Sequence, residues 1–197
     1  MSKKVIIYLS LILAIYPTSL LLAFFFKPAP VANIIGFFAL LVYIATLLPS
    51  LIKAVFPSTR KNKFLAWLLK YRRHLGVAAF SLGLNHGILF ILKLQLNLLD
   101  FHTYIRSFHG FSTLTIFTFL AFTSNDEAVK KLKFKWKKLH QLTYLAIFIL
   151  PWHILDRMSG HWTYITPVVV LSSLGIVGLF IIRQCKSNFH LSFRDIK

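Results

Sequence analysis

The chain has 197 residues, of which 57% are hydrophobic and 14% charged, and a mean hydropathy of +0.69. A soluble domain of this length cannot cover so much apolar surface, so lipid is the solvent for most of it. The formal charge of +18 does not indicate a nucleic-acid binder, because the basic residues sit in short runs between apolar segments, the pattern of membrane topology.

Six apolar spans can be drawn, each near the ~20 residues a transmembrane helix needs. The first, Val5–Phe26, follows Met-Ser-Lys-Lys. Its apolar run is too long for a signal h-region and no Ala-x-Ala site follows, so it is expected to stay as a membrane span. Val31–Ile52 is the second. The 53–73 connection is longer than the others, and Phe64–Leu69 within it is expected to form a turn of interfacial helix with Trp67 at headgroup level. Span three, Leu75–Leu96, carries His86, and span four, Thr103–Ser124, carries His109. Span five, Lys138–Leu155, has His140 at its entrance and His153 deep inside, and Tyr164–Ile182 is the sixth.

Charge sets the orientation. Nineteen of the 23 basic residues fall at Lys3 and Lys4, in 53–73, in 130–138 and in the tail from Arg183; Lys27, Lys93, Arg106 and Arg157 fall on the other side. The positive-inside rule then puts both termini in the cytoplasm. The expected fold is an all-α integral membrane protein, a six-transmembrane-helix bundle forming one domain over 1–197. No Gly-rich phosphate loop is present and the tail is short, so no soluble flavin or nicotinamide domain is expected.

Histidine depth points to chemistry. His86 lies about eleven residues into span three, or roughly 17 Å, and His153 lies roughly 20 Å beyond His140 along span five. His86 and His153 therefore share a level, and His74 lies near the level of His140. Two imidazoles at one level on facing helices suit the axial positions of a haem iron. The methionines are Met1 and Met158 and no Cys-x-x-Cys-His occurs, so any haem is expected to be non-covalent and histidine-ligated. One check runs against a shared face: thirteen residues of ideal helix turn His153 about 140° from His140, although Pro151 between them can kink the helix.

The plainer readings are that a lone intramembrane histidine hydrogen-bonds across the bundle and that His140 is interfacial. His109 falls near His153 in depth and competes as a ligand or propionate partner. His102, His161 and His190 fall in loops or the tail and are expected to be solvated. Arg72 and Arg73 suit haem propionates, or serve as topology anchors at the lipid surface. A cofactor-free transporter or channel with a histidine proton relay is the alternative from another class, and an assembly subunit without redox role is a third.

Arg72-Arg73-His74-Leu75-Gly76 leading to His86, Leu120-Ala121-Phe122-Thr123-Ser124, and Trp136-Lys137-Lys138-Leu139-His140 followed by Tyr144 and His153 resemble the ferric-reductase-like transmembrane domain. Within that family the likeness is greatest to haem-binding membrane subunits of bacterial periplasmic methionine sulfoxide reductase systems. It covers about residues 70–155, and the first two spans by topology. The resemblance implies six helices in the bacterial inner membrane and b-type haem, one or two, on His86, His140 and His153. It also implies electron transfer to a periplasmic redox partner, a molybdenum-containing reductase. With no flavin domain like that of longer relatives expected, the chain would draw electrons from quinol or a separate flavin reductase; no motif supports FMN. Lys133 stands where the family leads one to expect glycine, and His74 as a further cofactor contact rests on depth alone. A six-coordinate bis-imidazole haem has no open site, so the expected role is electron transfer rather than bond chemistry.

Overall fold

The computed structural model describes residues 28–158 and 166–192, and every element in them is helical. The expected first span Val5–Phe26, the start of the sixth, and His161 lie outside the described residues, as does the side chain of His190.

Helix α1, Pro28–Val55, starts on a proline, whose fixed φ and missing N–H suit a helix start. It runs past the expected second span at both ends. After a short 3-10 turn, Pro57–Lys61, the Asn62 side chain accepts from the N–H groups of Phe64 and Leu65, a standard cap. With that cap and no proline after it, α2 runs unbroken over Lys63–Leu94, through Gly76, Gly83 and Gly87. The expected interfacial turn at Phe64–Leu69 is therefore the first part of this helix rather than a separate piece. Its 32 residues span about 48 Å, more than a hydrocarbon core of about 30 Å, so its basic end has length to spare. Gln95, at φ 48°, closes α2 in the left-handed conformation.

The expected fourth span divides into α3, Phe101–Arg106, and α4, Phe108–Phe122, with the break at Ser107. The basic connection folds into α5, Asp126–Leu132, and α6, Phe134–His140. In α5 the acidic pair Asp126 and Glu127 opens the helix and Lys130 and Lys131 close it, matching the helix dipole. The expected fifth span breaks at Gln141, after which α7 covers Leu142–Met158; α8 covers Thr166–Ser192. Among the described residues, three helices contain stretches long and apolar enough to cross a membrane: Val31–Val55, Lys63–Leu94 and Thr166–Ser187; Phe108–Phe122 is apolar but shorter.

α1 packs mainly along α2 and also touches α8, while α4 lies against α2 and α7, and α7 against α8. One apolar core joins all five long helices: Leu40, Tyr43, Leu47 and Leu51 of α1, Ala79 of α2, Ile116 and Phe117 of α4, Ala146, Ile147 and Ile154 of α7, Val169 and Ile176 of α8. The α1 set repeats at three and four residues, the spacing of one helical face. A second cluster, Val31, Ala32 and Ile35 against Leu89, closes the α1–α2 seam beside His86.

Candidate functional site

His86 faces α1, where its Nδ1 lies 2.7 Å from the Ala32 carbonyl oxygen. A carbonyl can only accept, so Nδ1 carries the proton and Nε2 keeps its lone pair. That bond also fixes the ring, as the outer partner of a metal-binding histidine does. α1 comes this close because its facing residues are small. A Cβ on Gly36 would lie 2.8 Å from His86 Nδ1 and 2.9 Å from Cε1, closer than real carbons pack.

His153 sits two residues after Pro151 on α7 and is backed in the same way by α4: a Cβ on Gly110 would lie 3.1 Å from its Cε1. The His86 and His153 ring centres are 6.4 Å apart, with planes at 85°. Two imidazoles on opposite sides of one metal, each bound at about 2.0 Å, have centres about 6 Å apart. The spacing, the fixed tautomer of His86 and the two glycine cradles fit a bis-imidazole haem. Among the described residues no group of three or more His, Cys, Asp or Glu gathers for a protein-only metal site. A haem needs only the two, since the porphyrin supplies the equatorial nitrogens.

Around the pair, Phe90 packs on His86 at 5.8 Å, and the Arg157 guanidinium lies 5.5 Å from the Phe90 ring centre. His109 is half-buried, with its ring against Trp152 at 6.0 Å and Phe108 at 5.8 Å. Trp152 is exposed, so this contact lies at the flank of the bundle.

The remaining expected site residues gather at the other end. His140 closes α6, stacked on Trp136 at 4.0 Å. The Trp136 Nε1–H donates to the Thr123 carbonyl at 2.9 Å, and His140 Nε2 lies 3.2 Å from Thr123 Oγ1. The Thr123 hydroxyl donates to the Phe119 carbonyl at 2.6 Å, so it accepts from His140, whose proton is then on Nε2. Arg73 pairs with Asp126 at 2.5 Å. Arg72 is half-buried beside it, and His74, also half-buried, packs against Tyr71 at 5.8 Å. His102 is exposed. α6 and α7 are separate helices divided by the single residue Gln141, whose backbone stays in the right-handed helical region.

The sequence alone gives no site role to Ala32, Gly36, Gly110, Thr123 or Arg157. For the first two a signal exists: Ala32, Gly36 and Ala39 put small residues on one face of an apolar helix, the pattern of close helix approach in membranes.

The fold and the site define a helical membrane protein with a half-buried pair of imidazoles between its helices. The chain belongs to the family of the ferric reductase like transmembrane component, whose model matches residues 35–151. It is similar to the protein-methionine-sulfoxide reductase heme-binding subunit MsrQ of Brucella ovis, at 37% identity over 120 residues, 58% of this chain and 51% of that protein. It is also similar to MsrQ of Brucella melitensis biotype 2, at 41% identity over 85 residues, 41% of this chain and 39% of that one. The chain thus spans about half the length or less of the curated relatives it matches. No solved structure matches it.

Proposed function

We propose that this protein is a membrane electron-transfer subunit holding haem b between His86 and His153, and that it passes single electrons across a bacterial inner membrane to a partner on the outer face. The observation that carries this reading is the 6.4 Å separation of the two imidazoles, with His86 Nδ1 held by Ala32 so that Nε2 would be left to hold a haem iron. When bound, haem supplies a one-electron couple. The chain would supply two imidazole ligands, orient the first through a backbone carbonyl, and hold both, half-buried, between α1, α2, α4 and α7.

The proposal includes a six-span bundle over residues 1–197 with both termini cytoplasmic, supported by the charge asymmetry of the sequence. It includes His140 and His74, with Arg72 and Arg73 beside them for propionates, as the residues of a second haem at the cytoplasmic end; sequence resemblance supports His140, and His74 rests on its depth in α2 alone. The names of the Brucella relatives support a partner that reduces methionine sulfoxide, a molybdenum-containing enzyme by the likeness to periplasmic systems, with quinol or a separate flavin reductase as donor.

The test is spectral. Purified wild-type protein is expected to show a Soret band and a sharp α band on dithionite reduction, and His86→Ala and His153→Ala are each expected to lose the same component while still inserting into membranes. A colourless wild-type protein overturns the reading in favour of a cofactor-free histidine relay.

A further inference from the structure

We infer that Arg157 sets the reduction potential of the His86/His153 site, an inference that rests on the haem reading above. Arg157 lies four residues beyond His153 on α7, and Phe90 four residues beyond His86 on α2. Each is therefore one turn, about 6 Å along its helix, from the imidazole pair. The two meet there, with the guanidinium carbon 5.5 Å from the Phe90 ring centre and that ring 5.8 Å from His86.

The charge is held in place. Arg157 Nη2 donates to the Arg106 carbonyl at 3.0 Å and to the Ser107 hydroxyl at 2.6 Å, which ties the end of α7 to the break between α3 and α4. Its side chain is 21% exposed, while Lys93 and Arg106, the other described basic residues at this end, are exposed. Two carboxylates lie nearby. Asp156 is 4.0 Å from Arg157 Nε but is 50% exposed, so water screens it. Asp100, which lines the same surface pocket, accepts from the His102 N–H at 3.0 Å. A fixed, poorly solvated positive charge remains, and it favours the less positive, reduced state of an iron held one turn away. No partner of opposite sign is buried with it among the described residues. Arg157 is thus a positioning and tuning residue that touches the site through Phe90, distinct from Arg72 and Arg73 at the opposite end.

The experiment is a spectroelectrochemical titration of the haem-loaded protein in nanodiscs, following the component that His86→Ala removes. Arg157→Gln is expected to lower its midpoint so that the reduced-to-oxidised ratio at a fixed potential falls about tenfold, about 59 mV for one electron. Arg157→Lys is expected to retain most of the wild-type midpoint. Ser107→Ala removes one of the two hydrogen bonds to Arg157, keeps the charge and is expected to titrate with wild type, whereas Asp156→Asn, which removes a screened carboxylate, is expected to move the midpoint upward by less than Arg157→Gln lowers it. An unchanged midpoint in Arg157→Gln, or a Ser107→Ala shift as large as that of Arg157→Gln, overturns the inference and leaves the haem reading standing. If Arg157→Gln does not fold, the Asp156→Asn and Arg157→Lys midpoints decide. A wild-type protein without a reducible band overturns the haem reading and this inference together.

Discussion

Gly36 and His86 are in contact across the α1–α2 seam, so close that any side chain at residue 36 would reach the imidazole before it reached anything else: an added Cβ would lie 2.8 Å from Nδ1. The atom it would crowd is the one that donates to Ala32. Backbone approach and ring orientation are therefore one feature.

Gly36→Ala should separate the two. The methyl must displace the ring or the helix, and overpacking of this kind costs about 1–3 kcal/mol. The expected outcome is a lower thermal midpoint in detergent together with a broadened or diminished Soret band. Gly110→Ala, where the new Cβ would meet His153 Cε1 at 3.1 Å, is expected to be milder, because a few tenths of an ångström of ring movement relieve it. Equal haem content and equal midpoints in both variants and wild type would show that the seam is looser than these distances imply.

The common level of His86 and His153 could be read from the sequence because helical rise fixes depth once the spans are drawn. That their rings come within 6.4 Å of one another could not be. Rotation about the helix depends on the break at Gln141 and on Pro151 inside α7, and nothing local announced that α6 and α7 are separate helices. The boundaries of α2 were missed for a related reason. The basic residues between 60 and 73 read as a water-facing connection, whereas lysine and arginine are good helix formers and the Asn62 cap starts the helix well before the apolar run. Arg157 was counted for topology alone, since its contact with Phe90 depends on how two helix ends meet.

Tyr43 ties α1 to α7 far from the imidazole pair. Its hydroxyl donates to the Thr143 carbonyl across 100 positions of sequence, and its ring packs on Phe117 at 5.0 Å. Tyr43→Phe keeps the ring and removes the donor, so a loss of about 0.5–1.5 kcal/mol is expected, with haem content and absorbance unchanged. A changed spectrum in this variant would mean that the α1–α7 tie also holds the ligand geometry, which the present packing does not require.

His140 is the residue on which the second haem depends. In His140→Ala the proposal expects haem per chain, measured as the pyridine haemochrome, to fall by half while the component lost in His86→Ala persists. The same variant removes the stack on Trp136, with a loss of about 0.5–1.5 kcal/mol and a shift in tryptophan emission. Unchanged haem alongside the shifted emission would assign His140 to the Trp136–Thr123 clasp and leave the protein with one haem.

Lys133 joins α5 to α6 at φ 49° and ψ −120°, a conformation glycine adopts freely and a residue with a Cβ does not. The family pattern that leads one to expect glycine here thus has a local physical cause, and lysine bears strain on the order of 1–3 kcal/mol. Lys133→Gly is expected to raise stability by about 1 kcal/mol, after the greater freedom of glycine in the unfolded chain is subtracted. The same change at Lys137, an exposed helical position in α6, is expected to lower stability by roughly 0.5–1 kcal/mol, because glycine is a poor helix former. Thermal midpoints of the two variants in one detergent decide it. Opposite signs support strain at the α5–α6 junction, and a loss in both would mean that the junction relaxes to a negative φ.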